Sequence, residues 1–332
     1  MGKIFVPPAC LLEFVERQGK FIIAGHDEPD ADCVCSQLAL ASILKRLGKD
    51  TLLCSAGPFR KPEVRPYEKL FLDKVSGDDR ADAAVIIVDC QGPQRTGSVC
   101  EALKDLPLAI IDHHERNGDA GGGTCVCAFV EAEAASTTML VFSLFKALRL
   151  DLSADEARLL FLGLCTDSGF FRHIESGGEE AFRVAAELIG AGASPKETFA
   201  EINGGKTLAS RLLLGMELGN TESYFGGKLL LSTESLAETE EYGIENRDTD
   251  TLYQLLMAVE GVEAVAVIRQ HTDRECALGL RSRRALDVAK VAAVYGGGGH
   301  KNAAGAYVNG RIAELKLSVI GEFEKILAAP SL

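Results

Sequence analysis

Three short apolar runs in the first third of the chain each end in groups that bind metal ions. FIIAGH closes on His26, AVIIVD on Asp89, and LAIIDHH on Asp112, His113 and His114. Unbroken apolar runs of this length, separated by helical patterns, predict strands of a mostly parallel sheet covered by helices on both faces. In such sheets the ligand crevice lies at the carboxyl ends of the strands, so side chains far apart in sequence should converge there. A single Asp after a strand is usually a turn residue or a helix cap. Three strand ends that carry Asp and His together predict a site.

The periodicity predicts strands at Phe21 to Gly25, Thr51 to Cys54, Ala84 to Val88, Leu108 to Ile111 and Cys125 to Val130. Leu40, Ile43, Leu44 and Leu47 fall at helical spacing, with Gly48 at the expected stop. Helices are predicted from about Ala134 to Leu150 and from Ala154 to Cys165, the second introduced by Ser153 and Glu156 as a capping box. From Glu179 to Leu218 a helical pattern is broken by glycines. Beyond a boundary near Asn220 a smaller α/β unit is expected, with strands at Leu229 to Ser232, Ala264 to Ile268 and Ala277 to Leu280 and helices at Thr249 to Val259 and Asp287 to Tyr295. The predicted organisation is a larger α/β domain over residues 1–195, a helical linker over 196–220 and a smaller α/β domain over 221–332.

The first strand runs into His26-Asp27-Glu28-Pro29-Asp30-Ala31-Asp32, a tight loop that can aim an imidazole and two carboxylates at one place. With Asp89, His113 and Asp167 the set reaches four carboxylates and two imidazoles, more than one tetrahedral cation needs and suited to two cations sharing a carboxylate. This hard oxygen and nitrogen set favours two divalent ions, Mn²⁺ or else Mg²⁺, over a thiolate zinc site.

The net charge of −13 argues against a protein that coats long duplex DNA, since that affinity comes from neutralising many phosphates. Small anionic substrates remain compatible with local basic patches. One such patch runs from Arg269 to Lys301, with seven Lys or Arg against three Asp or Glu. Within it Arg281, Arg283 and Arg284 are either a solvated ladder or a clamp, and Arg281, just upstream of a glycine run, is expected to grip a terminal phosphate or carboxylate-like anion by paired hydrogen bonds. No basic and apolar leader is visible at the start, and no apolar run approaches the length of a membrane span, so a cytoplasmic protein without membrane contact is expected. Ten scattered cysteines, with CxC rather than CxxC spacing, are expected to be reduced and mainly to pack the core. A homodimer is compatible with this reading.

The ordered motifs HDEPDAD (26–32), VDC (88–90), DHH (112–114), TDSGFF (166–171) and GGGGHKNAAG (296–305) resemble those of the DHH phosphoesterase superfamily, in the branch that carries a C-terminal DHHA1 domain. Within it the likeness is to the two-domain nanoRNase/pAp phosphatases, which hydrolyse very short oligoribonucleotides and 3′-phosphoadenosine 5′-phosphate. The resemblance implies that His26, Asp30 and Asp89 hold one metal and Asp32, Asp89, His113 and Asp167 the other, with Asp89 as the bridge. It makes His114 an electrophilic stabiliser or proton donor, and Asp112 the residue that orients its neighbours. Arg281, Gly298, Gly299 and His300 would bind substrate, with the nucleotide between the two domains. Cyclic or linear dinucleotide phosphodiesterases are the nearest alternative; a pyrophosphatase or a non-catalytic nucleotide sensor is more remote. Two positions depart from the family pattern. Cys35 stands where a small residue is common, and Gly279 where Ser is frequent, which puts a peripheral hydrogen bond in doubt.

Overall fold

A computed structural model describes residues 5–115, 124–283 and 286–327. The chain forms two compact units, Met1–Gly205 and Lys206–Leu332, each with its own sheet. The division falls within the stretch expected to be a linker.

The first unit runs α1 (Ala9–Arg17), β1 (Lys20–Ala24), α2 (Ala31–Arg46), β2 (Asp50–Cys54), α3 (Gly77–Arg80), β3 (Ala83–Val88), α4 (Cys100–Leu103), β4 (Leu108–Asp112), β5 (Cys125–Val130), α5 (Thr137–Ala147), α6 (Ala154–Asp167), α7 (Glu179–Gly190) and α8 (Pro195–Asn203). Its five strands are all parallel, in the order β2-β1-β3-β4-β5. The continuous apolar character of β1, β3 and β4 follows from burial on both faces. Phe21, Ile23, Ile86, Val88 and Ile111 pack into one layer, and Ile22, Ala24, Val85, Ile87 and Ile110 into the other. The strand order reverses between β1 and β3, which is where an open parallel sheet presents its crevice. Ser153 and Glu156 form the expected capping box at the start of α6, and α6 continues to Asp167.

The second unit runs α9 (Leu208–Gly219), β6 (Glu222–Tyr224), β7 (Leu229–Glu234), α10 (Leu236–Tyr242), α11 (Thr249–Met257), β8 (Ala264–Thr272), β9 (Glu275–Ser282), α12 (Val288–Val294), β10 (Gly298–His300), β11 (Ala303–Asn309) and α13 (Ile312–Leu327). Its six-stranded sheet has the order β10-β11-β9-β8-β7-β6 and is mainly antiparallel. Leu278 and Leu280 point to the face that carries Val288, Val319 and Phe323, whereas Val265 and Val267 share the other with Leu252, Tyr253 and Leu256. Periodicity did not reveal β11 and α13, and β10 replaces what reads as a glycine loop. Among the described residues no helix is long and apolar enough to cross a membrane.

The expectation of reduced cysteines is corrected at one pair. Cys10 of α1 is disulfide-bonded to Cys127 of β5, 117 residues along the chain. The helix docks beside the outermost strand, and spacing rules cannot register a pair made by tertiary docking. Cys33, Cys35, Cys54, Cys90, Cys165 and Cys276 lie outside disulfides and are buried, as core-packing thiols should be.

Candidate metal centre and substrate-binding residues

Each predicted metal ligand of the first unit lies at or just beyond the carboxyl edge of its sheet, or on a helix that faces it. Asp89 is nearly fully buried, and its backbone adopts a left-handed φ of 59°, a conformation Asp tolerates better than most residues. Its two carboxylate oxygens face opposite ways. Oδ2 lies 3.5 Å from His26 Nε2, and Oδ1 lies 3.6 Å from His113 Nε2. His113 Nε2 is also 3.1 Å from Asp167 Oδ2, and His26 Nε2 is 3.8 Å from Asp30 Oδ1. Donor atoms of Asp32, His113 and Asp167 form one compact cluster and those of His26, Cys33 and Asp89 another.

The tautomers of the two imidazoles are fixed from behind. His26 Nδ1 is 2.7 Å from the Asp27 carbonyl and His113 Nδ1 is 3.2 Å from that of Ala134, so each Nδ1–H donates to a carbonyl and each Nε2 is left for the carboxylate side. Asp32 is anchored just as firmly. Its carboxylate accepts the Thr137 and Thr138 backbone N–H groups at 2.6 and 3.0 Å at the start of α5. Asp30 caps α2 by accepting from the Cys33 amide at 3.1 Å, so a helix-capping role coexists with its place in the cluster.

His114 differs from the other two imidazoles. Its Nδ1–H donates to Asp112 Oδ1 at 2.7 Å, its own backbone N–H reaches the same oxygen at 3.2 Å, and half of the side chain is exposed. Asp112 is fully buried, and its Oδ2 has no hydrogen-bond partner among the described residues. The Asp112 hydrogen bond, against the opposing effect of burial, raises the His114 pKa to about 9.

The electrostatics of the cluster call for cations. Burial, reinforced by the Asp32 charge, pushes Asp89 up to about 7 and Asp167 up to about 6, and burial likewise raises Asp32. Burial acts against charge at His26 and Asp30 as well, but Asp30, Asp89 and Cys33 together outweigh it at His26, holding the metal-free imidazole protonated far above its usual range, and His26 with the Cys33 amide and Lys61 holds Asp30 down to about 2. Crowded carboxylates that resist ionisation, together with imidazoles presenting Nε2, fit hard divalent ions. The residue that sequence reasoning missed is Cys33, whose sulfur lies beside His26 and Asp89. Burial pushes its thiol up to about 11, which keeps it a neutral, weak donor and leaves the oxygen and nitrogen set dominant. Cys35, the departure in this helix, packs with Val34 and Leu162.

These shifts predict how the metal-free protein responds to pH. A carboxyl whose folded pKa is raised contributes stability that is complete below its unfolded value near 3.8 and is lost as the pH rises through the folded value. The chelated protein should therefore melt at a lower temperature at pH 8 than at pH 5.5, and Mn²⁺ should raise the melting temperature more at pH 8. Melting scans with EDTA or Mn²⁺ at both pH values check this. A chelated protein that is equally stable at both, with a Mn²⁺ shift independent of pH, would contradict it.

In the second unit Arg281 and His300 are brought into one row of the sheet, both paired with Ala303: Arg281 from β9 and His300 from β10. The Arg281 guanidinium lies over the Tyr253 ring, 4.6 Å from its centre, and donates to the Leu280 carbonyl at 3.0 Å. Gly279 makes room for that ring, because a Cβ there would lie 2.2 Å from the Tyr253 hydroxyl. The departure at Gly279 is thus more than a peripheral hydrogen bond, since it lets a buried tyrosine sit beneath the arginine. Gly298 borders open space, whereas Gly299, at φ 143°, is held by its close approach to β11, where a Cβ would come within 2.5 Å of the Ala303 carbonyl. Arg283 donates to the Met257 carbonyl and is committed within the unit, and Arg284 lies outside the described residues.

A doubly wound sheet that gathers Asp and His at its switch point defines a two-unit protein with a candidate metal centre in its first unit. The chain belongs to the DHH family: residues 20–164 match the DHH family N-terminal domain and residues 227–328 match the DHHA1 domain. It is 31% identical, over 94% of its length and 89% of the relative's, to the bifunctional oligoribonuclease and PAP phosphatase NrnA of Thermus thermophilus. It is 25% identical to the cyclic-di-AMP phosphodiesterase PdeA of Listeria monocytogenes, over 95% of this chain but only 49% of that protein. Among solved structures, an exopolyphosphatase-related protein from Bacteroides fragilis superposes with a TM-score of 0.78 at 21% identity, covering 96% of both chains, which shows a shared fold.

Proposed function

We propose that this protein is a two-metal phosphohydrolase that cleaves short oligoribonucleotides and 3′-phosphoadenosine 5′-phosphate. The observation that carries the reading is Asp89, a buried carboxylate with one oxygen toward His26 and the other toward His113. His26, Asp30 and Asp89 would hold one ion and Asp32, Asp89, His113 and Asp167 the second. Bound divalent ions, Mn²⁺ or Mg²⁺, would lower the pKa of water and neutralise charge on the phosphoryl oxygens.

The chain's own groups supply the rest. Water forms the new P–O bond and the P–O bond to the leaving group breaks, so the leaving oxygen needs a proton. His114, oriented through Nδ1 by Asp112, keeps Nε2 for that proton or for a phosphoryl oxygen. Arg281 and His300 bind the anionic part of the substrate remote from the scissile bond. The substrate class rests on this basic row and on 31% identity to an oligoribonuclease and PAP phosphatase.

The test offers pAp, pApA, cyclic di-AMP and pyrophosphate in parallel to Mn²⁺-loaded protein. The expected result is turnover of pAp and pApA well above that of the other two, abolished by EDTA and restored better by Mn²⁺ than by Zn²⁺ or Ca²⁺. Preferred turnover of cyclic di-AMP would replace this reading with a cyclic-dinucleotide phosphodiesterase, and preferred turnover of pyrophosphate would overturn the nucleotide assignment.

A further inference from the structure

Arg95 has no role in the ligand set, and no sequence motif drew attention to it. It closes a single turn, Pro93–Arg95, just beyond the carboxyl end of β3. It lines a cavity of about 620 Å³ together with His26, Asp30, Asp89, His114 and Asp167. Among the described residues it is the only Lys or Arg on that wall. Four acids line the same cavity, yet among the described residues no salt bridge takes up its guanidinium.

The backbone beneath it is fixed while the head is left available. The Arg95 carbonyl accepts the Asp27 N–H at 2.7 Å, which ties the turn to the loop that supplies His26, Asp30 and Asp32. Thr96 is fully buried and donates its hydroxyl to the Pro93 carbonyl at 2.7 Å. Gly97, at φ 62°, lets the turn close against that loop, because a Cβ there would lie 2.8 Å from Ala56 Cβ and 3.0 Å from Asp27 Cβ. A guanidinium carried by a tied turn at the rim of the pocket that holds the Asp and His cluster is suited to bind two oxygens of one phosphate in a fork.

We propose that Arg95 is a catalytic residue whose guanidinium binds non-bridging oxygens of the phosphoryl group being transferred. This rests on the phosphohydrolase reading and adds to it a contact made to the reacting group of every substrate. Arg281, by contrast, serves only substrates with a second anionic group. The competing role is that Arg95 merely offsets the negative charge of the cluster. In that case Arg95→Lys would be fully active, and Arg95→Ala would alter ion binding without touching phosphate.

The test compares wild type, Arg95→Lys and Arg95→Ala as full chains loaded with Mn²⁺. For Arg95→Ala, kcat/KM should fall a hundredfold or more for pAp, pApA and an aryl phosphate ester alike, the range seen when one donor to a developing oxyanion is removed. Its metal content should match wild type, and inorganic phosphate measured by calorimetry should bind at least tenfold more weakly. Arg95→Lys should recover only part of the loss, and millimolar guanidinium should raise the activity of Arg95→Ala but not of Arg95→Lys. Unchanged turnover and phosphate binding, a loss confined to nucleotides, full activity of Arg95→Lys, or loss of metal from Arg95→Ala would each overturn the assignment. A wild-type protein inactive on every phosphoester would instead overturn the functional reading itself.

Discussion

Asp89→Ala should abolish hydrolysis of every substrate, with a fall in turnover of at least about 10³-fold, the scale of charge stabilisation lost with an essential group. The substitution removes both oxygens that face His26 and His113, so it takes one donor from each proposed ion. It also removes the acceptor of the Thr137 hydroxyl, 3.0 Å away, at the buried start of α5. Asp89→Asn is the informative companion. It retains the size and one acceptor oxygen, but its amide nitrogen cannot ligate a cation, so it should fold, bind about one equivalent of Mn²⁺ less and remain inactive. Metal analysis alongside turnover separates these effects. Wild-type turnover with two ions bound in Asp89→Ala would end the bridging assignment.

What the sequence made legible and what it hid divide along physical lines. β1, β3 and β4 were readable because both faces are buried, which leaves unbroken apolar runs whose ends stand out when they carry Asp or His. The capping box at Ser153 was readable because it is a local contact between residues three apart. Cys33 escaped because its relation to His26 and Asp89 depends on how α2 docks beside β3, and a cysteine on a helical face reads as core. The Cys10–Cys127 bond and the Tyr253–Arg281 stack are likewise products of docking between distant segments. β10 was misread for a different reason: Gly298 and Gly299 give no alternation to detect, and only pairing with Ala304 and Gly305 makes them a strand. Arg95 sits in a short turn without periodicity, so nothing in its neighbours distinguishes it from a solvated arginine.

Arg281→Ala should weaken nucleotide turnover while both metals stay bound, and the loss should depend on the substrate. Losing a charge-assisted contact to phosphate costs about 2 to 5 kcal/mol in kcat/KM where the pair is desolvated, or roughly 30- to several-thousandfold. An aryl phosphate ester lacks the second anionic group, so its slow hydrolysis should change little. The stack on Tyr253 sharpens the expectation. A guanidinium held 4.6 Å above a buried ring and bonded to the Leu280 carbonyl has fewer orientations to lose on binding, so part of the effect should come from the ring. Tyr253→Leu should therefore raise KM for pAp with little change in kcat, and in combination with Arg281→Ala should add less than its separate effect, since the ring acts through the arginine. Equal losses for the aryl ester and the nucleotide would assign Arg281 to the fold or the metals instead. Unchanged rates for both would make it a solvated arginine, and a Tyr253→Leu effect that persists without Arg281 would show that the ring serves the domain and not the clamp.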